Sequence, residues 1–350
     1  MDPISQGALG AVAGAAFADR TTIRKATLVS WAAGMLADAD IAISSASDPL
    51  LNIEYHRHFS HSLVFIPVGA LLCAGAFWVL TRRWWRLPFR SLYLFSLAGF
   101  ATAGLLDACT SYGTRLFWPF SDTRTAWSII SIIDPIFTGA LLVAIAIGLV
   151  RRRPAWMRAG LVFAGCYLAL GVIQRERTTR LQQELAAERG HGALHKSIVK
   201  PSIGNLLLWR SVYQEGGRFY VDAIRTGFFG EAKIYEGTSV PVLRLEGLLN
   251  GLPPDSTLAG DLARFDHFSD SFLARHPTEA NVISDLRYAA LPQSIKPLWG
   301  IRVDREKVDS HVPFENFRDI TKEDRKQLMQ MLRRETLLPS DEEPLDRISE

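Results

Sequence analysis

The strongest constraint on this chain is the stretch "SLVFIPVGALLCAGAFWVLT", residues 62–81, in which no side chain is charged. About 20 mostly apolar residues are needed to carry a helix across the ~30 Å hydrocarbon core of a bilayer. This run meets that length. Residues 91–107 form a shorter run. Residues 126–150 are long enough and carry one acid, Asp134, followed by Pro135. The run 159–173 is short. Two further segments, 4–18 and 26–43, are rich in Ala and Gly. They either span or pack as short helices against the others, because small side chains let helices approach closely. The expected fold is mainly α: a polytopic transmembrane helical bundle of about six segments over 1–174, followed by a soluble α+β domain.

Charge divides the chain in the same way. Residues 1–174 hold 14 Lys/Arg and 9 Asp/Glu, leaving 25 and 27 of the chain's 39 and 36 for residues 175–350. The first half suits lipid and the second suits water. The net charge of +3 gives no argument for nucleic acid as a partner. In the second half, 175–196 reads as a helical linker whose polar helix ends near Gly190. Residues 197–335 read as the soluble domain, and 336–350 as a disordered tail. Two β-rich runs flank a Glu-Gly-Gly turn at 215–217, a hairpin signal. "SVPVLRL" and "LWGIRVDRE" are further strand candidates. "DLARFDHFSDSFLARHP" places Leu262, Phe265, Phe268 and Phe272 at helical spacing, and Thr321 signals the start of a last helix.

Lys and Arg orient the membrane part. Arg20, Arg24 and Lys25, then Arg82, Arg83, Arg86 and Arg90, then Arg151, Arg152, Arg153 and Arg158 lie in alternate connections. The other connections hold Arg57, Arg115 and Arg124. Six spans would therefore put the N-terminus and the soluble domain on the outer side. If 159–173 does not span, that domain lies inside. The start of the chain has no basic region ahead of its apolar stretch, so it does not read as a cleavable signal peptide. Cys73, Cys109 and Cys166 lie in or beside apolar stretches with no paired spacing, as small core residues do.

Polar residues gather at the predicted outer ends: Gln6, Asp38, Asp40, His56, His61 and Asp107. In "ADAD", Asp38 and Asp40 end an apolar segment as solvated acids or helix caps, or join histidines in a mixed nitrogen and oxygen metal site. In "HRHFSHS", His56 and His61 stand about 140° apart on an ideal helix, so one ion reaches both only if the chain turns between them. His58 and His61 would share a face. A histidine cluster solvated at the membrane interface is the alternative. Ser60 and Ser62 read as caps for the next helix. Asp134 reads as the acid at a helix break, or as the one acid of an ion or proton pathway. Trp118, Pro119 and Phe120 read as an interfacial anchor.

Taken together, "MDPISQGALG", "ADAD", "HRHFSHS", "LLDACTSYGTRLFWPF" and "IIDPIFT" resemble the bacterial inner-membrane metal-dependent hydrolase family of the LexA-regulated, membrane-bound type. The resemblance covers roughly 1–145, and later stretches are similar to the soluble extension of longer members. His56 and His61 match the motif histidines, Asp38 and Asp40 the paired acids, and Asp107 the later acid. His58 falls on a variable position. Gln6 and Ala103 stand where many relatives carry histidine.

The resemblance implies a multi-pass protein of the bacterial inner membrane, its soluble domain on the periplasmic side. It implies a divalent metal, zinc above others, held by His56, His61, Asp40 and Asp107, with Asp38 and Asp40 as catalytic carboxylates. The reaction expected is hydrolysis at the outer face of the membrane, on a membrane lipid or lipid-linked phosphoester that arrives by lateral diffusion. The alternative is a non-catalytic membrane protein whose soluble domain binds envelope partners.

Overall fold

The computed structural model describes residues 1–337, so nearly all of the tail expected at 336–350 lies outside the described residues. The first helix, α1 (Pro3–Ala15), starts with Asp2 accepting a hydrogen bond from the Ser5 N–H and with proline in its first turn. Every residue from Ser5 to Ala15 is buried. The Ala and Gly content explains this, since α1 is the central rod of the bundle. Around it pack α2 (Ile23–Leu36), α5 (Phe89–Ala108), α6 (Pro135–Arg151) and α7 (Ala155–Glu188), with α4 (Ile66–Thr81) against α2 and α5. The approach is close enough that a Cβ on Gly99 of α5 would lie 2.3 Å from the Ser30 carbonyl of α2.

Among the described residues, three helices are long and apolar enough to cross a membrane: Leu63–Thr81, Phe89–Ala108 and Ala155–Glu188. Pro135–Arg151 is shorter. At 13 and 14 residues, α1 and α2 rise only about 20 Å, less than the ~30 Å core. They are packed short helices, the second of the two options the sequence left open. The run at 126–150 is helical only from Pro135. Asp134 is its N-cap, accepting from the N–H groups of Ile136 and Phe137 and from the Tyr167 hydroxyl. The only acid expected well inside a span therefore sits at a helix end, which removes the basis for an ion pathway through it.

The basic connections meet at one end of the bundle. Arg158 Nε donates to the Ala16 carbonyl at 3.0 Å, and Lys25 Nζ to the Trp85 carbonyl at 2.8 Å. The opposite end carries the loops that hold the acids and histidines. There the short helix α3 (Leu51–Tyr55) leads into two 3-10 turns, Phe59–His61 and Leu63–Phe65.

The helix α7 runs 34 residues without a break at 174. Its polar half leaves the bundle and supports a four-stranded antiparallel sheet in the order β1 (Ser197–Pro201), β2 (Leu208–Glu215), β3 (Arg218–Arg225), β4 (Lys233–Pro241). The hairpin expected around Glu-Gly-Gly is the β2–β3 turn. Gly216 and Gly217 both take positive φ, 54° and 76°, as a two-residue turn of the primed type requires. Buried Gln174 and Gln182 of α7 donate to the Gly227 carbonyl and the Ser211 hydroxyl. Arg189 clasps Asp222 through both guanidinium nitrogens.

The helices α8 (Leu245–Leu249) and α9 (Thr257–Phe268) precede a second four-stranded antiparallel sheet, β5 (Leu273–Arg275), β6 (Val282–Asp285), β7 (Trp299–Arg302) and β8 (Phe314–Asn316). Strand β4 ends at Pro241, so most of "SVPVLRL" lies beyond it in the connection to α8. The last helix, α10 (Lys322–Leu332), begins at Thr321 with a reciprocal capping box to Asp324. Apolar packing crosses between the two halves: Leu206 and Trp209 of the soluble part share one core cluster with Leu106, Phe137 and Tyr167 of the bundle.

Candidate functional site

The site lies at the end of the bundle opposite the basic connections. The chain leaves α2 through a 3-10 turn, Ala37–Ala42, which holds Asp40 buried and leaves Asp38 partly exposed. After α3 the backbone reverses at Arg57, whose φ is 60°. That left-handed residue is uncommon without glycine. Here it aims the Arg57 N–H at Asp40 Oδ2, 2.9 Å away. The following 3-10 turn then brings Ser60 and His61 inward. Helix α5 admits that turn because it has glycine at 104; a Cβ there would lie 2.1 Å from the His61 carbonyl.

Two linked groups result. His61 Nε2 lies 3.1 Å from Asp38 Oδ1 and 3.0 Å from Asp107 Oδ2. Its other nitrogen, Nδ1, is 3.1 Å from Asp40 Oδ2. His56 Nδ1 lies 2.9 Å from Asp40 Oδ1. Asp38, His61 and Asp107 each offer an atom within one metal-sized group, and Asp38, Asp40 and His56 do so in a second. The two imidazole centroids are 6.2 Å apart. His56 and His61 thus belong to neighbouring groups that share Asp38, rather than to one set of ligands with Asp40 and Asp107. The turn at Arg57 is what brings them together despite their angular separation on a helix.

The surroundings are charged and mostly dry. Arg57, counted above among the outer loop cations, is buried. Its guanidinium reaches Asp107 Oδ1 at 3.2 Å and Thr110 Oγ1 at 2.9 Å, and lies 4.8 Å from the centroid of the Tyr112 ring. The Met1 amino group also contacts Asp107. Gln6 Nε2 donates to Asp107 Oδ2 at 2.9 Å and to Asp38 Oδ1 at 3.3 Å. Its Oε1 is buried with no partner among the described residues. Burial acts to raise Asp38 and Asp40. The hydrogen bonds and charge from His61, joined at Asp40 by the His56 bond, override burial and hold both carboxyls below the ordinary carboxylate range. Burial pulls Arg57 down, against the neighbouring acids.

Spacing alone placed Arg57 only among the outer loop cations and read Ser60 as a cap. Ser60 Oγ instead donates to Asp40 Oδ2 at 2.6 Å and lies 3.0 Å from His61 Nδ1. Ser62 does cap the next turn, accepting from the Phe65 N–H. His58 turns away: its Nε2 is 2.6 Å from Arg115 Nη1, and its ring stacks on Tyr55. Ala103 is fully buried and offers no ligand atom.

Residues 1–178 match the model of a family described as the YdjM inner membrane protein. A curated relative, the inner membrane protein YbcI of Escherichia coli (strain K12), is 35% identical over 102 residues, covering 28% of this chain and 57% of that protein. The chain therefore spans somewhat more than half the length of the curated relative it matches. No solved structure matches it. Because the family model covers half of the chain, the chain belongs to the YdjM inner membrane protein family, in accord with the resemblance read from its motifs.

Proposed function

We propose that this member of the YdjM inner membrane protein family is a metal-dependent hydrolase whose site opens at the outer face of the membrane, on a lipid or lipid-linked phosphoester. One observation carries the reading: three carboxylates from two segments, Asp38 and Asp40 of the 3-10 turn after α2 and Asp107 of α5, converge on His61 and His56. Carboxylates so close to a low-dielectric boundary repel one another, and a divalent cation relieves that repulsion. The unpartnered Gln6 Oε1 fits the same need, as a buried acceptor beside the group. A mixed set of imidazole and carboxylate suits zinc or manganese.

Asp38, His61 and Asp107 would hold the ion. It would supply Lewis-acid polarisation of the scissile ester and lower the pKa of a water to roughly 7. Asp40 has a different task from the one first expected. Both its oxygens are engaged, by His56, the Arg57 N–H, Ser60 and His61. It is a positioning residue that fixes the His61 ring with Nε2 toward Asp38 and Asp107, as a carboxylate behind a ligand histidine does. Asp38, partly exposed and shared between the two groups, is the carboxylate placed to take the proton. Arg57 is placed to balance charge on an anionic ester.

The eleven basic residues at the opposite end support that end as cytoplasmic, and on this reading the site and the soluble domain lie outside. A reporter active only in the periplasm, fused after Gly192, should be active; activity of a cytoplasm-only reporter there would reverse the orientation. The second reading, a non-catalytic protein with a self-contained ionic network, is favoured by the Arg57–Asp107 pair. To separate the two, the full chain is placed in vesicles of phosphatidylethanolamine and phosphatidylglycerol with zinc or manganese, and hydrolysis of the lipid esters is followed. The hydrolase reading expects turnover that falls at least about 100-fold in Asp38→Asn, the size of a lost general base. Absence of turnover with both metals would favour the network.

A further inference from the structure

A groove of about 440 Å³ leads away from the site between α2, α4 and α5. Asp40 and Ser60 stand at one end, and Phe65, Leu72, Ala76 and Phe77 follow along α4. No other carboxyl or hydroxyl side chain lines it. The groove is also open at the side, since Leu72 is 60% exposed on a helix of membrane-spanning length and composition. From Phe65 to Phe77 it descends about 18 Å. One leaflet contributes about half of the ~30 Å hydrocarbon core. The groove is therefore as deep as one leaflet, apolar along its length, and polar only where it reaches the Asp40–Ser60–His61 hydrogen bonds.

We propose that this groove seats a single acyl chain of a bilayer glycerolipid, which enters sideways past Leu72 and brings the lipid's ester-bearing end to Asp40 and Ser60. Water-soluble occupants are disfavoured, because nothing along the floor hydrogen-bonds. A membrane lipid also matches the depth and the lateral opening. The size is within the roughly 300–1,000 Å³ of ligand pockets. The acyl chain comes from bilayer hydrocarbon and not from water, so the seat holds it by close packing. The proposal deepens the hydrolase reading and rests on it for what happens to the lipid, but the seat itself can be tested without turnover.

The full chain is reconstituted in phosphatidylethanolamine and phosphatidylglycerol vesicles with a trace of phosphatidylglycerol carrying a photoreactive diazirine on one acyl chain. After illumination the labelled residues are mapped. Labelling at Leu72, Ala76 and Phe77 should exceed labelling at Val79, which is 65% exposed and lies outside the groove. Ala76→Trp fills the groove and should cut the groove labelling to the level at Val79, because the acyl chain no longer fits beside α4. Val79→Trp should leave it unchanged. Ala76→Leu, a smaller intrusion, covers failure of the tryptophan variant to insert, and should lower labelling in the same direction. Labelling no higher than at Val79, or unaffected by filling the groove, overturns the seat. Groove labelling in the wild-type chain with no turnover under zinc or manganese keeps the seat while removing the hydrolase. Turnover that persists while labelling ignores Ala76→Trp does the reverse.

Discussion

Two clusters of acids and histidine, one at the mouth of the bundle and one where the soluble domain meets it, have the same residue types and differ in how their acids are partnered. At the junction, Asp48, Asp261 and His311 form a group that could also hold an ion. Arg264 already fills it. Its guanidinium reaches Asp48, Glu54 and Asp261, each at 2.9 Å, and His311 Nδ1 lies 3.0 Å from Asp261. None of these side chains is a buried polar atom without a partner. At the mouth, the Arg57 guanidinium and the Met1 amino group both reach Asp107, and neither pairs with Asp38 or Asp40 among the described residues. Asp38 and Asp107 face one imidazole nitrogen between them, and Gln6 Oε1 is orphaned. The lesson is that composition does not make a metal group. The junction is a clasp that ties the loop before His56 to α9, one guanidinium engaging all three acids, whereas at the mouth both cations gather on Asp107 and a buried amide oxygen is left without a partner among the described residues.

The sharpest way to break this contrast is to disturb each cluster and measure metal and stability separately. Asp40→Asn removes the partner that orients His61 and His56. It should weaken metal binding about 10- to 100-fold, the usual effect of losing a supporting carboxylate, with the fold kept. Unchanged affinity would take Asp40 out of its positioning role. Arg264→Gln should act the other way round, lowering unfolding stability by about 1–3 kcal/mol through lost charge-assisted hydrogen bonds and leaving metal content alone. Loss of metal in that variant would make the clasp part of the site.

The clasp also has a pH signature. Burial acts to raise Asp48, but the hydrogen bonds and charge of Arg264 hold it below the ordinary carboxylate value of ~3.9. A lowered folded pKa contributes stability that is present above that value and lost as pH falls through the folded pKa. The difference between wild type and Arg264→Gln should therefore be full near neutrality and shrink below about pH 4. Thermal unfolding from pH 7 to pH 3 reads it directly. A difference that grows on acidification would contradict this assignment.

Much of this was legible in the sequence, and for identifiable reasons. The acids and histidines lie at the ends of apolar runs, so alternation of the runs carries them to one end. The Gly216–Gly217 turn and the Thr321 cap are local signals, and both elements form where those signals stand. Three things were not legible. The reversal at Arg57 depends on one left-handed residue with no glycine to mark it, so neither the turn nor the burial of that arginine could be read from spacing. The roles of Ser60 and Asp40 arise from hydrogen bonds across 20 residues. The third is the number of spans: α1 and α2 are apolar and enclosed by other helices, and apolarity alone does not separate protein from lipid as the surrounding medium. The cap role of Asp134, by contrast, was one of the readings the Asp-Pro step offered, and the helix starts there.

The central claim is that the mouth cluster, and not the junction cluster, holds a divalent ion through His61. The most direct measurement is metal content of the purified full chain by elemental mass spectrometry, comparing wild type, His61→Ala, His58→Ala and His311→Ala. The account predicts a bound divalent ion, zinc foremost, in the wild type, retained in His58→Ala and His311→Ala and lost in His61→Ala. Equal occupancy in all three variants, or loss with His311→Ala alone, would contradict it.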